Sequence, residues 1–66
     1  MIIETWEHET DFGTETATLT TYEKGDYFVD MGCILWNRAY KKYAFAKRYL
    51  EKCGYEKKMV KIDLSI

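Results

Sequence analysis

Histidine, cysteine and paired carboxylates carry most side-chain chemistry, and this chain offers few of them. His8 is the single histidine and lies within Glu7-His8-Glu9. Neighbouring side chains of an extended segment point to opposite faces, so the two carboxylates cannot both flank the imidazole. A general base needs a partner in reach and none is evident, so His8 reads as a surface histidine. Cys33 sits in an apolar, alternating run, the setting of a buried and inert thiol rather than a nucleophile. One histidine and two distant cysteines, Cys33 and Cys53, do not make a zinc ligand set. Asp11-Phe12-Gly13 matches a kinase tripeptide in letters alone, because 66 residues cannot hold the rest of that signature. Gly13, Gly25, Gly32 and Gly54 lack phosphate-loop spacing. No catalytic residue, metal ligand or cofactor is expected, and the chain does not read as an enzyme.

Binding is the chemistry that remains, and charge is its main clue. Residues 1–35 hold eight acids (Glu4, Glu7, Glu9, Asp11, Glu15, Glu23, Asp26, Asp30) against Lys24, a net −7. Residues 36–58 hold eight bases (Arg38, Lys41, Lys42, Lys47, Arg48, Lys52, Lys57, Lys58) against Glu51 and Glu56, a net +6. The overall charge of −1 therefore hides an acidic half joined to a basic one.

The elements that position these groups follow from hydrophobic period. Met1 to Glu9 reads as a strand, Asp11-Phe12-Gly13 as a three-residue turn, and Glu15 to Tyr22 as a threonine-rich second strand. Glu23-Lys24-Gly25 suits a three-residue hairpin loop, with Gly25 in the left-handed position. Tyr27 to Leu35 is then a third strand. In that register Leu19 faces Val29, Ala17 faces Met31, and Ile3, Cys33 and Leu35 join one apolar face. Trp6, Tyr22, Phe28 and Ile34 share the opposite face. From Asn37, a candidate N-cap, the period becomes helical: Ala39, Tyr43, Ala46, Leu50 and Cys53 form one stripe, ended by Gly54. Lys58 to Ile66 alternates, with Val60, Ile62, Leu64 and Ile66 on one side. The expected fold is α+β, a three-stranded antiparallel meander followed by one helix and a fourth strand (βββαβ). The helix packs on one sheet face, and the final strand runs parallel to the third. The two cysteines lie at opposite ends of the helix, too far apart for a bridge.

Composition bounds the rest. A chain of 66 residues, 47% hydrophobic and 17% aromatic, is one small domain over 1–66 with a marginal core. No apolar run approaches a membrane span and no signal segment opens the chain, so a soluble, cytoplasmic protein is expected. Two surfaces stand out. The sheet face of Trp6, Tyr22, Phe28 and Ile34, rimmed by Glu4 and Asp30, would suit a protein partner or a homodimer seam. The helix face of Arg38, Lys41, Phe45, Arg48, Tyr49 and Lys52 interleaves bases with aromatics and would suit nucleic acid. The first is the leading expectation: a non-catalytic protein-interaction module that binds and blocks a larger partner. In size and charge layout the chain resembles the small inhibitor proteins of phages and mobile elements, anti-CRISPR and anti-restriction proteins among them. The alternative is a small nucleic-acid-binding accessory or regulatory domain using the basic helix.

Overall fold

Two hairpins supply most of the sheet, because alternating threonine and apolar residues favour a pleat with one buried face. The computed structural model describes residues 1–62. In chain order they form β1 (Ile2–Thr10), β2 (Gly13–Thr21), β3 (Tyr27–Asp30), β4 (Arg38–Tyr40), α1 (Tyr43–Lys52) and β5 (Glu56–Ile62). The strands make one five-stranded sheet in the order β4-β3-β2-β1-β5, with every neighbouring pair antiparallel. The helix packs on one face, as expected of the α+β class. Trp6, Ala17, Leu19 and Val29 of the sheet meet Ala46 and Leu50 of α1 and Tyr55 in one core.

The second hairpin follows its expected register. Leu19 pairs with Val29, the Tyr22 N–H donates to the Asp26 carbonyl at 2.9 Å, and Gly25 takes φ +89°. The first hairpin does not. Thr10 pairs with Gly13, so the turn holds two residues, Asp11 and Phe12, rather than three. Thr10 closes it: its hydroxyl donates to the Gly13 carbonyl at 2.9 Å and accepts the Phe12 N–H at 3.1 Å. A one-residue slip moves every side chain of a strand to the other face. Glu4 now faces Leu19 and Trp6 faces Ala17, so Trp6 lies in the core and Ile3 on the helix-free face.

The third strand ends five residues early. The Asp30 carboxylate accepts the Gly32 N–H at 2.9 Å and turns the chain out of the sheet. Cys33 is therefore exposed, not buried; it and half-buried Cys53 are free thiols. Asn37 does not cap a helix; its Oδ1 accepts the Met31 N–H at 2.7 Å and closes the loop. Arg38–Tyr40 then pairs with β3 as an additional strand, which places Ala39 in the sheet rather than on the helix. Helix α1 begins at Tyr43 and keeps the rest of the stripe: Tyr43, Ala46, Leu50 and Cys53 all pack on the core. It ends as expected at Gly54. The Tyr55 N–H donates to the Leu50 carbonyl and the Gly54 N–H to that of Glu51, both at 3.0 Å, around a residue at φ +91°.

The added strand also reverses an orientation. β5 pairs antiparallel with β1 at the far edge, so it runs opposite to β3, not parallel to it. It runs in the same direction as β4 at the opposite edge, with three strands between them, and α1 crosses the sheet from one to the other. β5 slips at Lys58, between the Thr5–Met59 and Trp6–Lys57 pairs. The expected places of Leu64 and Ile66 lie outside the described residues.

Candidate binding surfaces

The sheet residues expected to form a contact face are dispersed. Trp6 is 2% exposed and Glu4 6%. The Trp6 indole N–H donates to Glu4 Oε1 at 2.9 Å, the Tyr43 hydroxyl lies 3.0 and 2.8 Å from the two carboxylate oxygens, and Lys57 Nζ approaches to 4.0 Å. This cluster ties α1 to β1 and is internal, which corrects the placement of Trp6 and Glu4 on an open face. Burial, and then the bond and charge of Glu4, push the Tyr43 hydroxyl up to about 12. Phe28 stays half-buried on the helix-free face beside Thr20 and Ala39, Tyr22 is exposed at the second turn, and Asp30 is exposed. Ile34 leaves the sheet altogether and stands 86% exposed in the loop after β3.

The helix set holds together better. Arg38 lies over the Tyr49 ring and Arg48 over that of Phe45, each 5.7 Å from the centroid. Tyr40 flanks Tyr49 at 6.1 Å between ring centroids. The Tyr49 hydroxyl donates to the Trp36 carbonyl at 2.7 Å, and Arg38 Nη1 donates to the carbonyls of Leu35 at 3.0 Å and Asn37 at 2.8 Å. Burial raises the Tyr49 hydroxyl above its ordinary pKa, with the Arg38 charge opposing. Lys52 is exposed in the last helical turn. Lys41 is not part of this group; it pairs with Asp26 at the other end of β4. The same bonds fasten the base of a loop whose side chains face water: Ile34 is 86%, Leu35 76% and Trp36 58% exposed. Together they form an apolar, cationic shoulder.

The second surface was not anticipated. Past Glu7 on β1 and Thr18 on β2, no third strand pairs with the hairpin among the described residues. His8–Ala17 is therefore a two-stranded arm, extending β2 about 17 Å beyond β3 at roughly 3.4 Å per residue. Phe12 stands at its apex, fully exposed. Residues 7–16 carry Glu7, Glu9, Asp11 and Glu15 and no lysine or arginine. Turn positions favour glycine, asparagine, aspartate and serine, so phenylalanine between Asp11 and Gly13 was itself a signal. His8 fixes the root of the arm: Nδ1 lies 2.9 Å from the Gly54 carbonyl, and the ring sits 5.4 Å from that of Tyr55. An open cleft of about 420 Å³ beside it is lined by Glu7, His8, Glu9, Gly54, Glu56 and Lys58. Among the described residues no three histidine, cysteine or acidic side chains converge on a metal site, and no helix is long and apolar enough to cross a membrane. Comparison with known protein families, curated proteins and solved structures finds no match to this chain.

Proposed function

We propose that this protein is a non-catalytic interaction module that inserts its acidic arm, led by Phe12, into an apolar pocket with a basic rim on a larger protein, and blocks it. The observation that carries this reading is the fully exposed Phe12 at the tip of an arm that carries Glu9, Asp11 and Glu15 and no lysine or arginine. A buried phenylalanine contributes about 1.5–3 kcal/mol, enough to anchor a contact. Carboxylates around such an anchor speed encounter with a basic surface and fix its orientation. Blocking of this kind matches the small phage and mobile-element inhibitors that the chain resembles in size and charge layout.

Affinity capture from nuclease-treated extract tests the reading, using wild type, Phe12→Ser and Arg48→Glu as baits. Proteins that bind wild type and Arg48→Glu but not Phe12→Ser are the expected result. Capture indifferent to Phe12 would refute it. Stacking of Arg38 on Tyr49 and of Arg48 on Phe45 favours a second reading, nucleic-acid binding along the helix flank. Fluorescence anisotropy with single- and double-stranded DNA and RNA separates the two. Phosphate-led binding through six to ten contacts weakens roughly 10³–10⁵-fold between about 50 and 200 mM salt.

A further inference from the structure

The arm and the shoulder lie at the same end of the molecule. As β3 runs from Tyr27 to Asp30 its partner residues run from Thr21 back to Thr18, toward the hairpin tip. The loop carrying Ile34, Leu35 and Trp36 therefore leaves the sheet on the side from which the arm projects. Helix α1 ends there too, since Gly54 meets His8 at the root of the arm. One feature is acidic with a single aromatic at its apex. The other is an apolar loop held by Arg38 and Tyr49, with Phe45, Arg48 and Lys52 within a turn of Tyr49 on the helix. Within one chain they stay apart, because Phe12 is wholly exposed and Ile34 nearly so.

Taking the arm as the contact surface, we infer that a second copy of this chain is its resting occupant: two copies clasp about a two-fold axis, each arm seated on the other's shoulder. The shoulder has the chemistry proposed for the partner's pocket, apolar with a cationic rim, and stands beside the arm. That juxtaposition lets one rotation satisfy both contacts at once. The arrangement is isologous and closes at two copies, whereas a one-way arm-to-shoulder contact would continue into chains. The edge strand β5 is a poorer seam, because Lys57, Lys58, Lys61 and the slip at Lys58 discourage strand pairing. The clasp would also regulate the arm, since a partner's basic pocket must displace the second copy to reach Phe12.

Sedimentation velocity at about 1–200 µM chain tests this, with salt raised from about 0.1 to 1 M as the screening length falls from roughly 10 to 3 Å. The expected species is a dimer whose dissociation constant rises tenfold or more with salt. Phe12→Ser should be monomeric; the Phe12 side chain is fully exposed in the single chain and the substitution keeps the backbone N–H that Thr10 accepts, so the fold is retained. Reversing the arm (Glu9→Lys with Asp11→Lys) and reversing the shoulder (Arg48→Glu with Lys52→Glu) should each give monomers. An equimolar mixture of the two reversed chains should dimerise, because both arm-to-shoulder contacts regain opposite charge. A monomeric wild type, a dimer indifferent to Phe12→Ser, assemblies larger than two, or a mixture that stays monomeric would each overturn the clasp. Capture of another protein through Phe12 by a monomeric wild type would overturn the clasp alone. A clasp without such capture would leave the dimer and remove the proposed partner.

Discussion

The root of the arm gives the most quantitative test of the geometry. A Cβ added at Gly54 would lie 2.8 Å from His8 Cε1 and 2.9 Å from Nδ1, at φ +91°. Carbon cannot sit at that distance from the ring, so Gly54→Ala must move the imidazole and break its bond to the Gly54 carbonyl. The backbone conformation costs about 1 kcal/mol for a residue with a side chain, and the lost hydrogen bond about 1 more. The expected loss is thus about 2–3 kcal/mol. For a domain this small that lowers Tm by roughly 10–20 °C at about 4–8 °C per kcal/mol. His8→Ala removes the obstruction as well as the bond, so in that background Gly54→Ala should cost only the backbone part, about 1 kcal/mol. Thermal unfolding followed by circular dichroism of the wild type, both single variants and the double variant measures this cycle. The double variant should be more stable than the sum of the singles predicts by about 1 kcal/mol. Equal costs of Gly54→Ala in the two backgrounds, within about 0.5 kcal/mol, would refute the contact and with it the anchoring of the arm.

Three further outcomes follow from the internal contacts. Glu4→Ala strands the Trp6 indole N–H and the Tyr43 hydroxyl in the core and should cost about 2–4 kcal/mol in urea unfolding; a three-residue first turn would have left Glu4 on the helix-free face, with little loss. The Tyr43 hydroxyl, held protonated to about 12 in the fold against 10.0 ordinarily, stabilises fully below pH 10. Stability should therefore fall as pH rises from about 10 through 12, and Tyr43→Phe should flatten this part of the stability profile. Asn37→Ala loses the acceptor of the Met31 N–H and should cost about 1 kcal/mol, accompanied by faster amide exchange at Met31.

What could be read from the residues alone depended on how long each pattern ran. Glu23-Lys24-Gly25 sits between two runs whose apolar residues align in one register only, and that register is found. The helix stripe from Tyr43 to Cys53 spans about three turns, and Gly54 supplies a stop with a physical cause. Arg38–Tyr40 is three residues long, too short to show a period. Ala39, four positions before Tyr43, fits the helix stripe by coincidence of spacing, so the strand was absorbed into the helix. At the first turn the alternation from Ile2 to Thr10 places Glu4 with Trp6 and His8 against Ile3 with Thr5, and neither set is apolar throughout. Hydrophobicity therefore could not choose between a two- and a three-residue loop, and the Thr10 hydroxyl decided it. That slip sent Trp6 inward and left Phe12, read as part of a three-residue turn, exposed at the apex of a two-residue one. Ile34 was misplaced because the turn after Asp30 depends on its own carboxylate reaching Gly32, a bond that no periodicity encodes.

Photo-crosslinking from position 12 addresses the binding role of the arm most directly. With p-benzoylphenylalanine in place of Phe12, irradiation in nuclease-treated extract should give a discrete adduct to a protein other than this chain. That adduct should disappear when Glu9→Lys and Asp11→Lys reverse the arm's charge. No protein adduct, or one unchanged by the charge reversal, would contradict the account.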